Sequence, residues 1–223
     1  MASSPSSSER GAHRHHGRAP LRRGFAADSA LSPGAGFTAL ELVLALGMTA
    51  TIAALAVPVT TGAADEIRTA MAARYLEGRI QDARMHAVQR SARVGLRFEP
   101  EGNDYRIAEY LDGNANGIRT AEIGAGIDAR LGWAGLLCEH FAKVRFGLQP
   151  GVPEVDGARS EDAAEGVRVG SSRILSLGPD GTATSGTLYV QGTRSQYAVR
   201  ILGATARTRL LRFDRGSGQW MVR

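Results

Sequence analysis

Cysteine is almost missing. Cys138 stands alone among 223 residues, so no intrachain disulfide can form and the fold must rest on its core. Histidine is scarce too: His13, His15 and His16 sit near the start and only His86 and His140 lie further on, with no spacing that suits a structural zinc site. Lysine is nearly absent, since 26 of the 27 basic residues are Arg and Lys143 is the exception. No spacing demands Arg so uniformly, and the bias reads as genome composition. The glycines form no nucleotide fingerprint, and neither His86 nor His140 has an evident nucleophile beside it. Enzymatic chemistry therefore has no visible carrier in this chain.

The length allows one domain of ordinary size plus appendages. Charge is spread unevenly: residues 1–36 hold five Arg against Glu9 and Asp28, residues 37–189 are net acidic, and residues 190–223 hold seven Arg against Asp214. Residues 2–35 are rich in Ser, Ala, Gly, Arg and Pro without helical or strand period, and read as a disordered basic leader; a mis-assigned start codon is the other reading. Positive charge before an apolar helix predicts that the N-terminal side stays in the cytoplasm and the remainder is exported.

Leu42 to Val59 is an apolar run of eighteen residues without a charge, about the roughly 20 residues a bilayer core takes. Glu41 stands at its mouth, where a carboxylate costs on the order of 2.5 to 3.5 kcal/mol on insertion scales and asks for a partner. Glu41 could also simply snorkel to the interface, and Pro58 could kink the helix or end it. No small-residue cleavage site of the secretory type follows the run.

From Ala63 to about Ser91 the chain reads as a long helix. Thr69, Ala73, Leu76, Ile80, Ala83 and Ala87 recur at spacings of four and three, a narrow stripe that predicts packing on a sheet. A coiled coil is the alternative, although Ala-rich heptads make a weak seam. Short alternating pieces follow. Val94, Leu96 and Phe98, then Tyr105 and Ile107, flank a hairpin connection over Glu99 to Asp104; Val144, Phe146 and Leu148 give a third alternation. Ile174 to Leu177, Thr187 to Val190, Tyr197 to Leu202 and Arg209 to Phe213 continue the series, with Trp220 and Val222 as a last edge. A long helix followed by about seven short strands predicts an α+β domain with an antiparallel sheet.

Gly36-Phe37-Thr38-Ala39-Leu40-Glu41 before that apolar run resembles the class III signal of type IV prepilins and type II secretion pseudopilins. Asp82 to Arg90 with Val94 and Leu96 resembles the helix-to-strand passage of the GspH/FimT group of minor pseudopilins and pilins. Gly178-Pro179-Asp180-Gly181-Thr182-Ala183 with Gly186 to Val190 is similar to that group's central hairpin. The resemblance implies a type IV pilin-like fold, cleavage between Gly36 and Phe37 by a prepilin peptidase, N-methylation of Phe37, and pairing of Glu41 with the new Phe37 amine of a neighbouring subunit. The implied organisation is a leader over 1–36, a transmembrane and filament-core helix over 37–62, and a periplasmic domain over 63–223. The implied role is a minor pseudopilin of a type II secretion system in the inner membrane. A FimT-like minor type IV pilin that binds DNA is the alternative, and an exported domain on a simple signal anchor a third.

Two further stretches invite site readings. Asp112, Asn114 and Asn116, with Gly117 next, occupy the first, third, fifth and sixth positions of an EF-hand-like calcium loop, but the twelfth is Ile123 and Glu122 comes one residue early. The same residues are those that make turns. Arg194, Arg200, Arg207, Arg209, Arg212 and Arg215 crowd the C-terminal end, and period two would set Arg207 and Arg209 on one side of a strand as phosphate-binding forks. FimT-type pilins associate a Gly-Arg-x-Arg stretch with DNA capture; here it is Ala206-Arg207-Thr208-Arg209. Arg207, Arg209 and Arg212 are the candidate DNA contacts, with a solvated strand face or inter-subunit ion pairs as the competing account.

Overall fold

A computed structural model describes residues 36–157 and 165–223. Residues 1–35 of the expected leader lie outside it. The described residues fall into two units that part between Gly47 and Met48. Helix α1, Ala39–Arg90, has 52 residues. It continues through position 58, so the helix does not end at the proline; the side chains of residues 55–60 lie outside the described ones.

Both ends of α1 have a local cause. Thr38 Oγ1 accepts the Glu41 backbone N–H at 3.2 Å, which sets Thr38 at the N-cap and Glu41 at the third helical position, the capping-box sequence. At the other end Ser91 takes φ 50°. Its N–H donates to Val88 O at 3.2 Å, and the Ala92 N–H donates to Ala87 O at 3.3 Å. That pair of bonds is a Schellman stop, with Ser where Gly is usual.

The stripe behaves as its period predicts. Thr69, Ala73, Leu76, Ile80, Ala83 and Ala87 are all buried, joined by Asp65 and Ala72. The apolar members share one core with Val94, Leu96, Phe98, Leu175, Leu188 and Val199. They pack on sheet residues, so the coiled-coil alternative is not needed to cover them.

Among the described residues ten strands form two antiparallel sheets. The first contains β1 (Val94–Glu101), β2 (Asp104–Leu111), β3 (Ala129–Leu136) and β6 (Ile174–Leu177) in the order β3-β2-β1-β6. The second contains β4 (Arg145–Phe146), β5 (Val167–Val169), β7 (Gly186–Gln191), β8 (Gln196–Leu202), β9 (Arg207–Asp214) and β10 (Gln219–Val222) in the order β10-β9-β8-β7-β4, with β5 also pairing β7. Two short helices, α2 (Thr120–Ala125) and α3 (Leu137–His140), flank β3. The described residues are thus a mixed α+β fold with antiparallel sheets.

Several local expectations change. The β1–β2 turn is only Gly102 and Asn103, and Pro100 lies within β1 opposite Tyr105. A strand proline is tolerated there because β6 pairs with β1 only from Val94 to Arg97. The alternation at Val144, Phe146 and Leu148 gives three buried residues but a strand of two. Gly178 to Ala183 does fold back, with the Gly178 N–H donating to Thr182 O at 2.8 Å and a bridge between Leu177 and Ala183. Yet β6 and β7 belong to different sheets, so this stretch carries the chain from one sheet to the other rather than closing a hairpin within either.

The second sheet is covered on both faces. Leu188, Val190, Tyr197, Val199 and Leu210 enter the main core. Tyr189, Ala198 and Leu211 point the other way and meet Leu148, Val152, Val155, Phe213 and Trp220. The strap over residues 148–157 is tied to that outer face by Trp220 Nε1 donating to Pro153 O at 2.9 Å and by the Val155 N–H donating to Tyr189 Oη at 3.0 Å.

Candidate functional site

Every described side chain from Gly36 to Ala54 is exposed, Phe37 at 75% and Leu40 at 79%. An apolar helix segment exposed to this degree is a surface that suits a partner or a lipid. Among the described residues no helix is long and apolar enough to cross a membrane; the expected span over 37–62 includes side chains beyond them. Glu41 is exposed in the first turn of α1, where a carboxylate also favours the positive helix end. From the sequence Glu41 has a charge partner or a snorkelling position; that Thr38-x-x-Glu41 is a capping-box sequence is not registered there.

The loop from Asp112 to Gly117 closes on itself. Asp112 accepts the Asn114 N–H at 3.2 Å through Oδ1 and the Gly117 N–H at 2.8 Å through Oδ2. Asn114 Oδ1 accepts the Asn116 N–H at 3.3 Å. The side-chain amides of Asn114 and Asn116 both donate to Glu122, at 3.2 and 2.8 Å. Asp128, which the sequence did not single out, is buried and takes the N–H groups of Gly113 and Arg119 at 3.2 and 2.9 Å. Glu122, not Ile123, therefore completes the loop. Asp112, Asn114, Asn116 and Glu122 are the groups that could hold a cation; in this structure each is hydrogen-bonded within the turn. No group of three or more His, Cys, Asp or Glu that could hold a metal occurs among the described residues.

The C-terminal arginines divide between faces. Arg207 and Arg209 are exposed and share strand parity with Leu211, which lies on the outer face. Arg212 has the opposite parity, that of Leu210 in the main core, and its Nε donates to Glu66 Oε1 at 2.8 Å. Tyr197 Oη donates to the same oxygen at 2.5 Å, and burial together with that bond pushes the Tyr197 phenol up to about 12. Arg212 is thus withdrawn from the candidate DNA contacts, because it is committed to holding α1. Arg215 is likewise engaged: its Nε donates to Arg194 O at 3.1 Å and its Nη2 to Gln149 Oε1. Ala206 has φ 49°, the left-handed conformation for which glycine is suited.

Two polar features escaped the sequence. Asp65 is buried on α1 and grips the β7–β8 turn, accepting the N–H groups of Thr193, Arg194 and Ser195 at 2.7, 2.8 and 2.9 Å and the Ser195 hydroxyl at 2.9 Å. Burial opposes its charge, but these donors outweigh burial and hold the Asp65 carboxyl below its usual range. The second feature is Glu109, buried on β2, with His86 Nδ1 at 2.7 Å and Arg79 Nη2 at 3.5 Å. The Arg79 guanidinium also lies 4.5 Å from the Trp133 ring centre. His86 is therefore more than a surface residue of the helix, and His140 belongs to α3, its ring 5.4 Å from that of Tyr75.

A cleft of about 770 Å³ is lined by Asp104, Cys138, Lys143, Arg145, Gln149 and Arg215, among others. Asp104 Oδ1 accepts the Phe146 N–H at 2.9 Å while Oδ2 is buried without a partner, and burial raises the Asp104 carboxyl. Burial and the adjacent Asp104 push the Cys138 thiol up, which disfavours the thiolate a nucleophile needs.

These elements define a class: a mixed α+β domain with antiparallel sheets built on the second half of a long helix, with an exposed apolar helix start. Comparison with protein-family models, with curated proteins and with solved structures finds no match.

Proposed function

We propose that the chain is a minor pseudopilin of the GspH type, with a type IV pilin-like fold, serving a type II secretion system. Prepilin peptidase cuts after Gly36, Phe37 is methylated, residues 37–62 rest in the inner membrane until assembly, and the domain over 63–223 lies in the periplasm. One observation carries this reading. The Gly36-to-Glu41 motif opens a 52-residue helix that is apolar and exposed at its start, while its later turns bury a stripe against antiparallel sheets. Such a helix suits a subunit that exchanges lipid for neighbouring helices. The carboxylate of Glu41 then finds its partner in the Phe37 amine of the next subunit, an attraction that strengthens in low dielectric and that desolvation partly offsets.

Mass spectrometry of the membrane-extracted protein tests the processing step, and a mature N-terminus other than methylated Phe37 contradicts it. Glu41→Gln tests the pairing. Gln also serves at the third helical position of a capping box, so this change keeps the helix start and removes only the charge. Membrane insertion should persist and incorporation into filaments should fall; normal incorporation would leave Glu41 a capping residue and nothing more.

A second reading, a FimT-like minor pilin that binds DNA, is favoured by the exposed pair Arg207 and Arg209 on the outer face of β9. Phosphate contacts respond to salt. Binding to the full chain in detergent that is unchanged by Arg207→Ala with Arg209→Ala removes this reading.

A further inference from the structure

The registers of the second sheet place a third arginine in the exposed pair. Arg200 on β8 is directly opposite Arg209 on β9, and Leu202, two residues on, is opposite Arg207. Arg200 shares the parity of Ala198 on the outer face. Neighbouring strands are about 4.8 Å apart, so Arg200, Arg207 and Arg209 are neighbouring residues on one face of the sheet. Like charges set directly opposite across a strand pair are destabilising, and a sheet kept only for its packing has no use for the arrangement.

The strap answers part of that charge. Asp156 Oδ1 lies 2.6 Å from Arg200 Nη1, and both side chains are open to solvent, at 66% and 37%. An ion pair so exposed contributes little and exchanges readily. Arg168, on the same face, is held differently: it meets both Glu154 and Glu165 and is not available. Val152 and Val155 anchor the strap through the apolar cluster, so Asp156 can leave Arg200 without the strap detaching.

We propose that Arg200 is the third cation of a phosphate-binding face and that Asp156 is its built-in competitor, which a nucleic-acid strand must displace to engage all three arginines. The face reads backbone phosphate and not sequence, because the aromatic rings of this side, buried Tyr189 and half-buried Phe213 and Trp220, are engaged in the apolar cluster with the strap rather than set out as a stacking platform. The inference rests on the nucleic-acid reading of this face.

The test is equilibrium binding of a fluorescent single-stranded oligonucleotide to the full chain in neutral detergent between 50 and 200 mM salt. Comparison within one full chain cancels the contribution of the basic leader. Asp156→Asn should tighten binding about threefold at low salt and steepen the salt slope by about 0.7, so that the fourfold rise in salt costs about 2.6-fold more affinity than in the parent. Arg200→Ala in the Asp156→Asn background should abolish the gain. Glu77→Gln, an equal charge change on α1, should leave binding unchanged. If Asp156→Asn binds as the parent does, or Glu77→Gln gains as much, while Arg207→Ala with Arg209→Ala still weakens binding, the competitor is refuted and the nucleic-acid reading survives. If the double arginine variant binds like the parent, the nucleic-acid reading fails and this inference with it.

Discussion

Replacing Asp65 by Ala should be among the costliest single changes in the domain. The carboxylate accepts four hydrogen bonds of 2.7 to 2.9 Å. Thr193 and Arg194 are exposed, so their N–H groups can turn to water when the acceptor goes. Ser195 is buried, and its N–H and hydroxyl would each lose a partner at about 1–3 kcal/mol. With the weaker losses at the other two donors the total is about 3–5 kcal/mol, the scale found when one partner of a buried charged pair is deleted. Asp65→Asn keeps one acceptor oxygen and should lose about half as much. Denaturant unfolding of the full chain in detergent, followed by Trp fluorescence, measures both. The pH dependence supplies a second check. The folded-state carboxyl is held below its unfolded value, so its contribution is fully present above the unfolded value of about 3.9 and disappears as pH falls through the folded one. The gap between parent and Asp65→Asn should therefore stay constant from pH 7 to 5 and close below about pH 4. A loss under about 1 kcal/mol for Asp65→Ala, or a gap that closes near neutral pH, would refute the reasoning.

Two further outcomes follow from geometry. A β-carbon at Gly192 would sit 2.2 Å from Thr69 Oγ1 and 2.7 Å from Asp65 Oδ1, so Gly192→Ala should cost about 1–3 kcal/mol as overpacking does, read as a lower unfolding midpoint; an unshifted midpoint would mean that the β7–β8 turn moves freely against α1. Because the oxygens of Asp112 already accept two backbone N–H groups, calcium addition or a chelator should leave the thermal midpoint within about 1 °C. A calcium-dependent rise of several degrees would show instead that the loop opens to take a cation.

What the sequence revealed and what it hid divide along physical lines. The buried stripe was legible because a helix against a sheet leaves a 3.6-residue signature wherever small and apolar side chains alternate with Arg, Glu and Asp. Strand β3 was not: Ala129 to Leu136 contains two glycines and no β-branched residue, and its pairing with β2 carries a register shift beyond Ala108. It is a strand because β2 offers an edge, a tertiary cause with no local signature. Asp65 reads in sequence as one more charge on a helix, since its partners lie 128 to 130 residues away. Arg212 is the instructive case. Adjacent Leu210 and Leu211 imply that β9 is covered on both faces, and parity alone then separates Arg212 from Arg207 and Arg209. The signal was present in two letters.

The Asp65 clamp also has a mechanical meaning. Any subunit built on a rod must pass tension from the rod to whatever the rod carries, and apolar contacts between a smooth Ala-rich stripe and a sheet slide with little resistance along the axis. Four short bonds from one carboxylate, all converging on a single turn, are loaded together when α1 is pulled lengthwise. Asp65 thus works as a shear pin beside the Glu66–Arg212 and His86–Glu109 pairs, and its four bonds resist axial slip of the helix in the domain.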